Sequence, residues 1–190
     1  DLRMSRGLGD VYKRQSTQRG MVLLVSLVFM LLLSLTGLAS MVSATQQEKM
    51  AAAVQRAHHS FQAAEAALNS GESWLLDGWA GLVPCTSPAG CNPPAEARSQ
   101  VVPALDPVSG VLWVGVTDGL YGMQNLGPSV TPGHFPVTTT TRLYRVTGIG
   151  LRGQSRTVLE SIYARYQDVY DGPDEDAPQR FRRVMWRQLQ

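Results

Sequence analysis

From Met21 to Val42 the chain reads MVLLVSLVFMLLLSLTGLASMV, 22 residues without a charge. Nothing else in the sequence limits the fold as strongly. A helix of that length rises ~33 Å, and a hydrocarbon core is ~30 Å thick. Its eight leucines, four valines and one phenylalanine favour insertion by roughly 5 kcal/mol. Ser26, Ser34, Thr36 and Ser40 can return their hydroxyls to helix carbonyls, so they cost little. Gly37 is the one weak point for helicity. Upstream lie Arg3, Arg6, Lys13, Arg14 and Arg19. The positive-inside rule therefore puts the N-terminus in the cytoplasm and everything after Val42 outside it. Asp10–Gln15 (DVYKRQ) reads as translated adapter sequence, so Asp1–Gln15 is expected to be foreign to the native chain and Arg19 carries the orientation. Composition leaves two outcomes open: an uncleaved anchor, or a signal peptide cut after Val42-Ser43-Ala44. The apolar run exceeds the h-region of about 7–15 residues, which favours the anchor.

The helical pattern does not stop at the apolar run. Met50, Val54, Ala57, Phe61, Ala64 and Leu68 recur at spacings of four and three, an apolar stripe on one helical face. Gln47, Gln55, His58, Gln62, Glu65 and Asn69 occupy the remainder. No proline occurs before Pro84, and Asn69-Ser70-Gly71 reads as the helix stop. A continuous helix from Met21 to about Leu68 would be ~72 Å long. Its first half is apolar all round and its second half amphipathic.

These residues carry a family resemblance. QRGMVLLVSLVFMLLLSLTGLASMVSATQQEKMAA, followed by FQAAEAAL, is similar to the N-terminal domain of PilX-type minor pilins of Gram-negative type IV pili. The similarity is specific over Gln18–Ser73 and weaker over Tyr144–Arg165 and the closing RRVMWRQL. It implies cleavage by prepilin peptidase between Gly20 and Met21 and N-methylation of Met21. Most pilins carry glutamate as the fifth residue of the mature chain, where it meets a neighbour's N-terminal amine. Here that position is Val25. The missing acid resembles minor pilins and GspK-type pseudopilins placed at a filament tip, where no subunit lies above.

The remaining residues read as a turn-rich head. All eleven prolines lie between Pro84 and Pro178. Cys85 and Cys91 flank TSPAG; in an oxidising compartment they would close a small disulfide ring. Free thiols and a metal site are the alternatives, but two thiolates lack the other two ligands of a zinc centre. Val111–Thr117, Thr138–Leu151, Arg156–Tyr166 and Arg180–Leu189 read as strands, with Gly119–Pro136 as a turn-rich connection. Gly148–Gly153 spells G-x-G-x-x-G. The segment after it is β-branched and alternating, so no helix N-terminus is available for a pyrophosphate, and the motif reads as a glycine-rich hairpin turn. Asp171, Asp174 and Asp176 lie among crowded carboxylates that could hold calcium, although the spacing is not that of an EF-hand. Otherwise no cofactor or metal is expected. His58 shares a helix face with Glu65 but lacks a third ligand, as does His59, and His134 sits alone in a loop. No serine elbow, Cys-His dyad or phosphate loop is present, so no enzyme is expected. A net charge of +2 gives no electrostatic footprint for nucleic acid.

The expected fold is α+β and type IV pilin-like, with one long N-terminal helix on an antiparallel sheet of about four strands. Residues 1–20 are the leader, 21–42 the transmembrane half-helix, 43–70 the amphipathic half and 71–190 a periplasmic head. The resemblance implies a minor pilin that helps to prime a pilus and sits near its tip, supporting adhesion and twitching motility. It also implies the partners: other minor pilins and the major pilin through the helix, prepilin peptidase, the inner-membrane assembly platform and a large tip adhesin. The subunit would span the inner membrane once before entering the fimbrium. The alternatives are a type II secretion tip pseudopilin and a secreted periplasmic binding protein.

Overall fold

The structure, a computed structural model, describes residues 19–130, 140–166 and 180–189. The first helix, α1 (Arg19–Gly78), is followed by a 3-10 turn at Trp79–Gly81, one helical turn, α2 (Pro88–Cys91), and a second 3-10 turn at Ala95–Arg98. Five strands follow among the described residues: β1 (Val114–Val116), β2 (Gly119–Ser129), β3 (Thr141–Arg152), β4 (Ser155–Tyr166) and β5 (Arg180–Leu189). They form one antiparallel sheet in chain order, β1-β2-β3-β4-β5. Two compact units divide between Lys49 and Met50. In the first, every large apolar side chain from Met21 to Val42 is exposed.

In the second unit, α1 lies on one face of the sheet. Its buried positions are Ser60, Ala64, Ala67, Leu68, Gly71 and Leu75. The contact face is thus made largely of small residues, and the sheet answers with glycine. Gly119 and Gly150 are register partners on β2 and β3, and Gly148 lies two residues from Gly150. A Cβ on Gly148 would stand 2.6 Å from the Ala64 carbonyl oxygen and 2.8 Å from the Leu68 nitrogen. One on Gly150 would overlap the Ser60 carbonyl oxygen and the Ala64 nitrogen. Helix backbone therefore rests on strand backbone. The buried Ser60 hydroxyl is satisfied there by Thr157 Oγ1 at 2.9 Å and by the Ala57 carbonyl at 2.9 Å. Below this contact Leu68, Leu75, Tyr144, Val146 and Leu159 form the helix-side core.

The other face of the sheet is covered as well. Pro84 bridges to Asn125 in parallel, and the Cys85 N–H donates to the Asn125 carbonyl at 2.8 Å. The chain then carries a second core onto the far face, where Ala97, Val111 and Trp113 pack with Leu120, Ile149 and Val158. Arg156 fastens this layer by donating to the carbonyls of Ala97 (3.0 Å) and Gln100 (2.7 Å).

Several sequence expectations are corrected here. The helix does not stop at Asn69-Ser70-Gly71. Ser70 and Ser73 return their hydroxyls to helix carbonyls. Gly71 is a contact glycine, since its Cβ would sit 2.6 Å from Val146 Cγ1. Trp74, Leu75 and Leu76 accordingly lie within the helix, and only Leu75 is buried. The apolar stripe is covered over its second part only: Met50 (68% exposed) and Val54 (56%) lie above the sheet. Gly119–Ser129 is a strand rather than a turn-rich connection, so the sheet has five strands. In G-x-G-x-x-G, the first two glycines are strand residues under the helix. Only Gly153 (φ +58°) turns the β3–β4 hairpin.

Because the helix rests on backbone, Gly150→Ala and Gly148→Ala are each expected to destabilise the head by about 2 kcal/mol or more through overpacking. Gly81→Ala, with nothing within 4 Å of its added methyl, should stay within about 0.5 kcal/mol. Urea unfolding of the full chain in detergent, read by tryptophan fluorescence, checks both. Wild-type midpoints for the two strand variants would refute the backbone contact.

Candidate functional site

Two surfaces are candidates for function: the apolar half of α1 and the disulfide loop of the head. In the first, helix is already established at Gly20 and Met21, and Val25 is 47% exposed. Ser26, Ser34 and Thr36 donate to the carbonyls of Leu23, Met30 and Leu33 at 2.7–2.9 Å, so their hydroxyls are not left bare. Ser40 is exposed on the same helix. The segment is long and apolar enough to cross a membrane. An uncharged helix without a partner has two ways to leave water: lipid, or other helices of its kind.

In the second, Cys85 and Cys91 are joined as a disulfide with Cα atoms 5.3 Å apart. The ring holds the single turn α2, in which Ser87 Oγ accepts from the Gly90 N–H at 3.1 Å. Polar side chains rising from the sheet hold the ring and the residues beside it by their carbonyls. Gln124 Nε2 donates to Gly90 O (2.5 Å) and Asn92 O (3.2 Å), and Asn125 Nδ2 donates to Leu82 O (2.8 Å). Arg145 Nη1 donates to Cys91 O (2.7 Å) and to Gln124 Oε1 (3.0 Å). Arg145 Nε also lies 3.4 Å from Glu160 Oε2, and Arg187 Nη2 lies 3.1 Å from Glu160 Oε1. The Glu160 side chain is 0% exposed and that of Arg187 48%. Burial pushes the Arg145 guanidinium below its ordinary value, and the Glu160 carboxylate opposes that shift.

Comparison with known families bears on the first surface. Residues 19–69 match the PilX N-terminal family. The match takes in the whole apolar half of the helix and its docked part as far as Leu68. No curated protein and no solved structure matches the chain. The match covers residues 19–69 only, and over that stretch the chain is similar to the N-terminal part of PilX-type pilins. A membrane-anchored or pilus protein fits both the match and the apolar helix.

Most of the other candidates drawn from the sequence do not assemble into a site. His58, His59 and Glu65 are all exposed on α1. Among the described residues no three His, Cys, Asp or Glu side chains gather as metal ligands. Asp171, Asp174, Asp176 and His134 lie outside the described residues. Of the C-terminal arginines, Arg183 lies 3.4 Å from Glu72 and Arg187 lies 3.1 Å from Glu160. Gln124, Arg145 and Glu160 were not anticipated. Their signal was present, because Glu160 stands between Val158 and Ile162 on one face of a strand, an inward charge that requires an inward partner.

Removing one member of a buried pair leaves the other charge unpaired, so Arg145→Met should destabilise the head by about 3 kcal/mol or more. Arg183→Ala removes a half-exposed pair and should cost less than about 1 kcal/mol. Chemical denaturation of the two variants checks this, and equal costs would contradict it. A pH effect arises at Tyr163. Burial, aided by the neighbouring Glu72, raises its hydroxyl above the ordinary tyrosine value of 10.0. The folded state keeps a proton that the unfolded chain loses, so this contribution is full below that value and declines as pH rises beyond it. Tyr163→Phe should flatten the alkaline arm of the stability profile, and an unchanged slope would exclude this cause.

Proposed function

We propose that this chain is a type IV pilus minor pilin that takes part in priming assembly and is retained at or near the filament tip. The observation that carries the reading is the helix that begins beside Gly20-Met21, carries no charge from Met21 to Gln47, and continues to Gly78. Leader removal between Gly20 and Met21 frees an apolar half-helix, residues 21–42, that is stable in the inner membrane. The same surface packs among sister helices when the subunit moves into a fibre. Neither state needs a new fold, because van der Waals contact with lipid is exchanged for contact with other apolar helices. The mechanism is association rather than catalysis.

Val25 supports the placement near the tip. A carboxylate at that depth is costly unless a neighbour's amine meets it. A subunit without the acid gives up that contact with the subunit above and avoids the cost. The head, residues 71–190, then faces the periplasm and presents its surface to other minor pilins and to a large tip adhesin. Adhesion and twitching would depend on the subunit through pilus number.

N-terminal sequencing of native material tests the reading directly. The expected first residue is N-methylated Met21, and Gly20→Leu should leave the unprocessed precursor in the membrane. A chain beginning at Thr45 would make the helix a cleaved signal sequence and end the pilin assignment. Immunogold labelling should mark fibre ends, and a deletion strain should carry fewer pili. Even labelling along the shaft with normal pilus number would remove the tip and priming roles.

A further inference from the structure

The head contains a charged group, buried at Arg145 and Glu160 and half-exposed at Arg187, for which the pilin reading has no use. On the sheet face opposite the helix, Gln124, Arg145, Glu160 and Arg187 stand on β2, β3, β4 and β5 in turn. They run from the disulfide ring, where Arg145 reaches Cys91 O at 2.7 Å, to the strand at the edge of the sheet, where Arg187 lies 3.1 Å from Glu160. The cross-strand register sets this path, with Gln124 opposite Arg145 and Glu160 opposite Arg187. Glu160 is fully enclosed, and neither of its oxygens has a hydrogen bond of good geometry. It therefore depends on both arginines at once.

We propose that Arg145, Glu160 and Arg187 couple the disulfide ring to β5, so that the ring and the C-terminal strand hold or loosen together. The physical basis is the cost of a buried charge. If the ring loosens, Arg145 loses the Cys91 carbonyl and with it one of the contacts that fix its guanidinium against Glu160. If β5 frays, Glu160 loses Arg187, and Arg145 alone must balance a carboxylate that water does not reach. Each end thus biases the other through a contiguous set of contacts rather than through mere proximity. Arg145 and Glu160 act here as positioning residues. The outer sides of Thr86, Ser87 and Pro88 are exposed, and β5 has no further strand beside it among the described residues. Two surfaces of the head would therefore report on each other.

Hydrogen exchange on the full-length chain in detergent tests this, independently of how its N-terminus is processed or whether it enters a pilus. In wild type, opening the ring by Cys85→Ala with Cys91→Ala should speed amide exchange over residues 181–189 by about fivefold, a coupling of ordinary size. Residues 114–121, on β1 and the first positions of β2 and outside the relay itself, serve as the internal reference for a general loss of stability. In the Arg187→Gln background the same ring opening should leave residues 181–189 no faster than that reference. An equal acceleration in both backgrounds, or a β5 that responds no more than the reference in wild type, overturns the proposal. If the ring-opened chain does not fold, Arg187→Gln alone decides with the ring intact. Exchange over residues 85–98 should then exceed the change at 114–121, and no such excess refutes the coupling.

Discussion

Contact between helix backbone and strand backbone at Gly148 and Gly150, with Gly119 beside them, is the constraint on which the head depends. Interaxial packing normally keeps a layer of side chains between elements. Here the helix contributes Ser60, Ala63, Ala64 and Ala67, and the strands contribute no side chain at all at three positions. Little apolar area is gained at the contact itself. What it secures is position: with the helix seated at Gly150, Leu68 and Leu75 fall beside Val146 and Leu159, and the helix-side core closes. The Ser60–Thr157 hydrogen bond adds direction to a contact that dispersion alone would leave free to slide.

Fixing the helix on one face leaves the other face of the sheet to be covered by chain with little regular structure. Segment 84–113 does this with two different devices. Toward the β1 end it buries Val111 and Trp113, an ordinary apolar core. Toward the disulfide it presents carbonyls, which Gln124 and Arg145 take up from the sheet. A ring of this size gains about 2 kcal/mol from the covalent link by restricting the unfolded chain. Its place on the sheet comes from side chains elsewhere. Buried ionic groups of this kind add little net stability compared with apolar packing, and their value lies in excluding other arrangements.

The elements differed in how far the sequence exposed them. The apolar half-helix and the three C-terminal strands were legible because each carries a strong local period. β2 was not. Its Gly119, Gly122, Gly127 and Pro128 spell turn, yet Gly119 lies under the helix, Gly122 lies under Trp113, and Gly127 (φ +86°) comes just after a bulge at Asn125. Local propensity reads such glycines as breaks, whereas contact with distant residues makes them strand positions. Gly71 misled for the same reason. On the site side, Gly20, Met21 and Val25 belong to a motif in consecutive residues. The set Gln124, Arg145, Glu160 and Arg187 spans 64 positions of sequence and could be assembled only by strand pairing.

By itself the sequence determined that residues 21–42 form a helix that must leave water and that the chain continues from it into a folded head, because hydrophobicity and helical period are properties of neighbouring residues. It also placed the two cysteines within reach of one another across five residues. Tertiary structure alone decided where the helix stops being free and begins to be covered, which glycines are contacts and which are turns, and which base meets which acid. Those are properties of residues far apart in the chain, and they become definite only when the strand register brings a particular pair of side chains to the same point.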